Sequence, residues 1–320
     1  MKRLLSLLSV LLLSLSLLTA CQNDASKGWK IVRGGWDFDV VRYEMGTVNN
    51  RVAVFEKNGK CGIVDFDGNI VVPATYTDLE ISETTYGSGI TKLFGNSDEE
   101  YATFEADGTK SSEISGGWGY EGFPSVYLYG EDIVIWNGMN GYLGKGYNTY
   151  KEYWYPQYGL LGTIAVELHP VVGVRKMTAY PAGDEEYPPM ESELYALYDF
   201  EKETFLTGFE FEEVINVGVI ENRIAVKKNG KWGYLDENGK AVTDFVYDTA
   251  EVGTDGRWRS SRMYAFTNGY AVVRQGDSFG LIDKDGNTIV EPTFQGVSQV
   301  RDDGLFFIKK NGKWWVAKLQ

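Results

Sequence analysis

The chain has 320 residues, a formal net charge of −14, 38 Gly, 9 Trp, 21 Tyr and 16 Phe, but only one His and two Cys. Its acidity argues against a nucleic-acid partner, because phosphate binding needs a concentrated positive field. Two cysteines exclude a disulfide framework, and a single histidine weakens most catalytic and metal-site interpretations. Abundant Gly and Tyr with 24% charged residues indicate a turn-rich β protein rather than a disordered chain.

The amino terminus has the features of a secretory signal. Residues 1–21 read MKRLLSLLSVLLLSLSLLTAC, in which a basic start precedes an apolar run that is too short and too rich in Ser for a spanning helix. The run ends in Leu-Thr-Ala-Cys, which resembles the lipobox of bacterial lipoproteins. The resemblance implies cleavage before Cys21, a diacylglyceryl group on its thiol and often an acylated new amino terminus. The alternative is an ordinary signal peptide in which Cys21 is incidental.

The body of the chain is an internal repeat. Residues 57–68 read KNGKCGIVDFDG, residues 228–239 read KNGKWGYLDENG, and residues 275–286 read QGDSFGLIDKDG. Weaker or partial copies lie at residues 100–108, 137–143, 195–200 and 310–314.

These copies are similar to the WG-repeat family of bacterial β-repeats, whose unit reads roughly Asn-Gly-Lys-Trp-Gly-Tyr-x-Asp-x-x-Gly. The resemblance covers most of residues 36–320. Other residues replace the signature Trp in several copies, among them Cys61, Tyr101, Asn140 and Phe279. The family occurs widely in secreted and surface proteins, and the resemblance implies no particular reaction.

Each unit predicts a meander of four short strands. In the first full copy the apolar segments are residues 52–55, 61–64, 70–73 and 76–81. Asn58-Gly59 separates the first two and favours a two-residue hairpin, because both central positions accept positive φ. The apolar faces of one meander stay exposed unless neighbouring units cover them.

The repeat spacing predicts a seven-bladed β-propeller. The equivalent core positions are 61, 101, 140, 198, 232, 279 and 314. The last unit ends at Gln320 after two strands, and the segments at residues 31–33 and 36–41 resemble the missing half of a unit. We therefore expect both termini to complete one blade, which removes open edge strands. The alternatives are an open stack of β-hairpin repeats or two smaller β domains divided near residues 165–190.

Several motifs favour structural roles. The Asp-x-Asp-Gly turns at residues 65–68 and 283–286 resemble the start of a calcium loop, but neither has the downstream Glu that a calcium loop needs. We expect turns there and a buried apolar thiol at Cys61. We expect no metal or cofactor, since the sequence has no zinc spacing, phosphate loop or nucleotide fingerprint.

Two segments are candidates for ligand binding. Residues 118–158 contain 13 aromatic residues, and large rigid faces such as those of Trp154 and Tyr155 suit sugar rings or a protein hot spot. Packing between units is the other explanation. In residues 256–262, GRWRSSR, the side chains of Arg257, Trp258 and Arg259 suit a carboxylate or phosphate. A solvated loop that balances local acidity is the alternative.

The sequence therefore predicts a signal peptide at residues 1–20, a lipidated tether at residues 21–29 and a repeat β domain at residues 30–320. We expect a lipoprotein of the cell membrane or outer envelope surface, in contact with the membrane through the lipid on Cys21. Its β domain is expected to bind a protein or glycan without being an enzyme, although a fold alone does not set a function. The alternatives are a cell-envelope glycan hydrolase with paired carboxylates and a structural spacer.

Overall fold

The computed structural model describes residues 28–42, 51–83, 91–96, 101–105, 109–111, 125–137, 141–153, 168–180, 188–215, 219–249 and 265–320. Within these ranges the chain forms 24 β-strands, one short helix and six sheets. No helix in the same ranges is long and apolar enough to cross a membrane.

The strands of the amino-terminal half are β1 (Trp29–Trp36), β2 (Val40–Arg42), β3 (Val52–Lys57), β4 (Lys60–Asp65), β5 (Ile70–Tyr76), β6 (Asp78–Glu83), β7 (Thr91–Asn96), β8 (Tyr101–Glu105), β9 (Lys110–Ser111), β10 (Ser125–Tyr129), β11 (Asp132–Asn137) and β12 (Gly141–Lys145). The helix α1 (Gly146–Tyr153) follows. The remaining strands are β13 (Val171–Met177), β14 (Met190–Asp199), β15 (Thr204–Phe205), β16 (Glu213–Val214), β17 (Arg223–Lys228), β18 (Lys231–Asp236), β19 (Tyr270–Gln275), β20 (Ser278–Asp283), β21 (Thr288–Phe294), β22 (Gly296–Val297), β23 (Leu305–Lys310) and β24 (Lys313–Leu319).

The sheets follow one another along the chain. The first sheet is β2-β3-β4-β5, the second is β6-β7-β8-β9, and the third has the order β12-β11-β10-β13-β14-β15. The fourth sheet is β16-β17-β18 and the fifth is β19-β20-β21. The closing sheet has the order β1-β24-β23-β22 and therefore contains both ends of the described chain.

Asn-Gly turns set the register of the repeated hairpins. The φ angle is 53° at Asn58 and 71° at Gly59, and a type I′ turn requires positive values at both positions. The same dipeptide at residues 229–230 and 311–312 has φ values of 54° and 74° in each case. The hairpins predicted from these dipeptides are confirmed at all three places.

The boundaries between sheets differ from the predicted units by one strand. Residues 76–81 are predicted to be the fourth strand of the first unit, but β5 ends at Tyr76 and Asp78 begins β6 of the second sheet. The first sheet instead takes β2 from upstream, where Val41 pairs with Phe55. The motif fixes the central hairpin but does not determine the sheet to which the flanking strand belongs.

Both termini share the closing sheet, as predicted. β1 pairs antiparallel with β24 along its length, from Trp29 opposite Leu319 to Trp36 at the other end. The carboxyl end supplies three strands rather than two, and the amino end supplies one. Residues 40–41 were expected in this blade but belong to β2 of the first sheet, because the chain turns away after Trp36.

The units at positions 140 and 198 form one sheet instead of two blades. Val126 of β10 pairs in parallel with Val174 of β13, which joins two sets of antiparallel strands. A parallel pair needs a long crossover connection, usually with a helix, and the segment that begins with α1 provides it. The described residues therefore form six sheets where the spacing predicts seven blades.

The sheets pack through shared apolar cores. One core joins the third, fourth, fifth and closing sheets, and its fully buried rings include Tyr234, Phe266 and Phe306. A second core joins the first and closing sheets. Cys61 is buried in the first sheet, as predicted from its place at a signature Trp position. The fold class is confirmed: the chain is an all-β repeat protein of small sheets, with the paired termini of a β-propeller.

The glycine after the signature position lies where the third strand approaches closely. A Cβ added to Gly280 would lie 2.3 Å from the Val290 carbonyl oxygen, and one added to Gly62 would lie 2.5 Å from the Val72 carbonyl oxygen. Both positions coincide with a shift in strand register. Glycine is required here by the approach of a neighbouring backbone.

In the closing sheet the corresponding glycine lies on the opposite strand. The residue after Trp314 is Trp315 rather than Gly. Gly34 of β1 faces Trp315, and a Cβ added to Gly34 would lie 2.5 Å from the Trp315 Cα. The φ angle of Gly34 is 136°, which further favours glycine. β1 is therefore matched in shape to β24.

Candidate functional site

A cleft of about 800 Å³ lies between the closing sheet and the first sheet. Its walls come from β1, the start of β3, the turn after β4 and the turn before β23. Four cationic side chains line it, namely Arg33, Arg51, Arg301 and Lys318. Four carboxylates line it as well, namely Asp65, Asp67, Asp302 and Asp303. The cleft therefore brings together residues from opposite ends of the chain.

The floor of the cleft is the apolar core shared by the first and closing sheets. The ring of Phe66 lies 4.5 Å from the ring of Phe307, centroid to centroid, and both side chains are buried. Beside them the ring centroids of Phe38 and Phe55 are 4.4 Å apart. Close packing of this kind fixes the side chains above it, so the cleft has a rigid base.

Arg301 and Asp303 form a fixed pair on one wall. The guanidinium of Arg301 donates two hydrogen bonds to the Asp303 carboxylate and lies 4.4 Å above the centre of the Phe66 ring. The hydrogen bond from Arg301 holds the pKa of Asp303 below its usual range. A bidentate pair that also stacks on an aromatic ring is well oriented. Both groups are therefore held in place.

Arg33 and Asp67 form a second ion pair, which links β1 to the turn after β4. The neighbouring Asp65 carboxylate accepts the backbone N–H groups of Asp67 at 2.9 Å and Asn69 at 2.7 Å. The equivalent Asp283 makes the same contacts in the fifth sheet. These segments are turns, as predicted. Within the described part of the chain, no group of three or more His, Cys, Asp or Glu is placed to hold a metal ion.

Arg51 and Lys318 complete the cationic lining and are both exposed. Val32 and Val71 also line the cleft, and each is 38% exposed, which is a large fraction for an apolar side chain on a strand. The combination of exposed cations, exposed apolar groups and a rigid base is typical of a binding site for a polar or charged ligand.

The binding residues predicted from the sequence, Arg257, Trp258, Arg259, Trp154 and Tyr155, lie outside the described residues, as does the lipidation site Cys21. The aromatic segment at residues 118–158 divides into two classes where it is described. Tyr127, Trp136 and Tyr150 are buried, which supports the packing explanation for them. Tyr129 and Tyr142 are exposed and need another explanation.

The cleft was missed because its residues form no contiguous motif. They come from segments more than 200 residues apart in the sequence. The available signals were the predicted closure by both termini and the arginine in the Arg-Asp-Asp-Gly turn at residues 301–304. Combining them requires knowing which turn of the last unit faces which turn of the first.

Comparison with known proteins identifies the repeat. A family model described as "WG containing repeat" matches residues 201–232, 232–257 and 279–314. These ranges include β17 and β18, β20 and β21, and the start of β24. No curated protein matches the sequence.

Solved structures with a similar chain course include BamB from Moraxella catarrhalis, with 12% identity, a TM-score of 0.28 and coverage of 88% of this chain and 86% of that one. The AfRom2 CNH domain has 8% identity, a TM-score of 0.35 and coverage of 91% and 99%. PorZ of the type-IX secretion system of Porphyromonas gingivalis has 11% identity, a TM-score of 0.37 and coverage of 92% and 38%. The fold assignment rests on the sheets described above.

Proposed function

We propose that this chain, a WG-repeat protein over residues 201–314, is a non-enzymatic binding module held at the cell envelope by a lipid on Cys21. Its ligand is a protein or glycan that presents a carboxylate or phosphate to the cleft between the first and closing sheets. The observation that supports this proposal is the pair of exposed cations, Arg51 and Lys318, above a rigid apolar base.

The charges within the cleft favour an anionic group on the ligand. Arg33 is paired with Asp67 and Arg301 with Asp303, so these four side chains largely neutralise one another. Arg51 and Lys318 add two positive charges, and Asp65 and Asp302 add two negative charges, so the lining as a whole is balanced in a chain whose formal net charge is −14. The Asp65 carboxylate accepts backbone N–H groups of its own turn, whereas Arg51 and Lys318 are exposed. An anionic ligand is therefore repelled less here than by the rest of such a surface, and two exposed cations are placed to contact it.

The same contacts favour binding over glycan hydrolysis. A glycosidase needs a carboxyl group that stays protonated to serve as general acid. In the cleft, Arg301 holds the pKa of Asp303 below its usual range, and Asp67 is paired with Arg33. Asp65 accepts hydrogen bonds that hold its own turn. The carboxylates with assigned contacts therefore have structural roles.

Replacing both Arg51 and Lys318 by Ala is expected to weaken binding of the anionic ligand. A charge-assisted hydrogen bond contributes about 1.5–3 kcal/mol, so the double variant should lose roughly tenfold or more in affinity. The measurement is a glycan array and an envelope pulldown with the full chain, followed by titration of the ligand found. Thermal unfolding should change little, because both side chains are exposed.

The matched control is the double variant Lys240→Ala and Lys310→Ala. These two side chains are also exposed and lie outside the cleft lining, so the net charge changes equally. Loss of affinity in both double variants would indicate a general charge effect. Full affinity in the Arg51 and Lys318 variant would exclude the cleft as the binding site.

Replacing Cys21 by Ala is expected to move the protein out of the membrane fraction. The Leu-Thr-Ala-Cys motif provides the thiol to which the lipid is attached, and two or more acyl chains give stable anchoring. The measurement is detergent phase partitioning with mass determination of the amino terminus. A variant that is cut before residue 21 and still enters the detergent phase would contradict lipid anchoring.

A further inference from the structure

Three exposed tyrosines form a cluster on the third sheet, away from the cleft. Tyr129 ends β10, Tyr142 lies in β12, and Tyr180 follows β13. The rings of Tyr129 and Tyr180 are 5.0 Å apart with an angle of 68°, and those of Tyr142 and Tyr180 are 5.4 Å apart with an angle of 89°. Their exposed fractions are 36%, 45% and 39% for Tyr129, Tyr142 and Tyr180. Scattered exposed rings are ordinary, but here Tyr180 contacts both of the other rings, and the three form a patch.

The cluster has a firm base. Side chains two apart on a strand share a face, so Tyr129 continues the face of Tyr127, and Asp132 continues the face of Val134. Tyr127 and Val134 are fully buried and belong to one small apolar core. The strand that holds Tyr129 and its partner β11 are therefore fixed by this core, so binding has to order this part of the cluster little.

An ion pair lies beside the rings. Lys145 of β12 pairs with Asp132 of β11, and Asp132 is directly opposite Tyr129 in the sheet. Burial raises the pKa of the Tyr180 hydroxyl, and Tyr142, Lys145 and Asp132 also act on it electrostatically. The patch thus combines aromatic faces with a carboxylate and an ammonium group within one small area.

We propose that Tyr129, Tyr142 and Tyr180 form a stacking platform for a neutral sugar ring of a polysaccharide. The C–H face of a pyranose packs against an aromatic face, whose negative charge attracts the C–H edge. The hydroxyl groups of the sugar both donate and accept hydrogen bonds. They can therefore bond to the carboxylate of Asp132 and the ammonium of Lys145, which are already paired with each other. This platform is a second site, and it does not depend on the cleft.

The pairing of Asp132 with Lys145 favours a neutral sugar over other ligands. A nucleic acid also stacks on aromatic rings, but it needs cations along its backbone, and the single Lys145 is neutralised by Asp132. An acidic polysaccharide would gain nothing from a patch without net charge. A neutral polyhydroxyl ligand can form hydrogen bonds with both members of the pair and leaves the net charge of the patch unchanged.

The test is native affinity electrophoresis of the full chain in non-ionic detergent. The gels contain a soluble β-glucan, an α-mannan or a xylan, with polygalacturonate as the acidic comparison. At least one neutral polysaccharide should retard the chain, and the double variant Tyr142→Ala and Tyr180→Ala should bind it roughly tenfold more weakly. The triple Tyr→Phe variant of the three positions keeps the rings and should retain most of the affinity.

Four results would overturn the proposal. The first is a chain that no neutral polysaccharide retards. The second is a Tyr142 and Tyr180 double variant that unfolds at the wild-type temperature and is retarded as strongly as the wild type. The third is a pulldown in which the wild-type chain captures an envelope protein, and no polysaccharide, that the same variant fails to capture. Retardation by polygalacturonate alone, abolished in the Arg51 and Lys318 variant, would overturn this platform and support the proposed function of the cleft.

Discussion

A chain that lacks β1, residues 29–36, is expected to unfold at a markedly lower temperature than the intact chain. The deletion removes the partner strand from the edge of β24 that faced β1, while β24 stays paired with β23 on its other side, and it creates an exposed edge strand. It also removes Trp29, whose ring lies 5.6 Å from Phe294 and 6.2 Å from Phe306. Trp29 is partly buried against the core, and loss of a fully buried Trp side chain costs about 3–5 kcal/mol. Thermal unfolding followed by far-UV circular dichroism measures the effect.

Two further variants separate pairing from chain length. Deletion of residues 22–27 shortens the same end but retains β1, and it should leave the unfolding temperature unchanged. Gly34→Val retains the length but places a side chain where an added Cβ lies 2.5 Å from the Trp315 Cα, so it should mimic the deletion in part. If the chain without β1 unfolds as cooperatively and at the same temperature as the intact chain, closure by the termini does not stabilise the fold.

The pairing of the two termini could be predicted because each repeat unit contains a set number of strands. An incomplete last unit and unassigned apolar segments before the first unit are both visible in the sequence, and a β-repeat must cover its edges. The allocation of strands was not predictable. Whether residues 76–81 end one sheet or begin the next depends on the direction that the chain takes at Thr77, between β5 and β6. The motif marks only the central hairpin and does not show which sheet the next strand joins.

The third sheet shows a different limit of structure prediction from the sequence. α1 was not predicted, because its sequence GYNTYKEY has few strong helix formers. Packing stabilises it instead: the rings of Tyr147 and Tyr150 stack on Phe200 at 5.2 Å and 5.3 Å. Tertiary contacts of this kind outweigh local preference. The two units flanking α1 are joined into a single sheet by the parallel pairing of β10 with β13.

The candidate sites differ in what the sequence reveals of them. The aromatic enrichment at residues 118–158 includes the exposed Tyr129 and Tyr142, but it did not separate them from the buried Tyr127 and Trp136. Strand alternation alone does not separate them either, since Tyr127 and Tyr129 share a face. What differs is their position along the strand: Tyr127 lies in the middle of β10 and Tyr129 at its end.

The substitution Gly280→Ala is expected to be the most destabilising single change at the repeated motif. The added Cβ would lie 2.3 Å from the Val290 carbonyl oxygen and 2.9 Å from the Pro292 nitrogen. Both atoms are backbone atoms of β21, and Pro292 limits how that strand can move. Overpacking that forces a backbone shift costs about 1–3 kcal/mol and occasionally more. In a domain of this size, each kcal/mol lowers the unfolding temperature by about 2–4 °C.

Gly208→Ala is the matched control, because a Cβ added there meets no atom within 4 Å and the change should be neutral or slightly stabilising. Gly233→Ala should fall between the two. Its nearest contact is the Phe245 ring at 2.9 Å, and a side chain can yield where a backbone cannot. An unfolding temperature for Gly280→Ala equal to that of Gly208→Ala would contradict the close approach of β21. The graded order would instead show that the glycine of this repeat is required by the neighbouring strand and not by its own backbone conformation, since none of these three glycines has a positive φ.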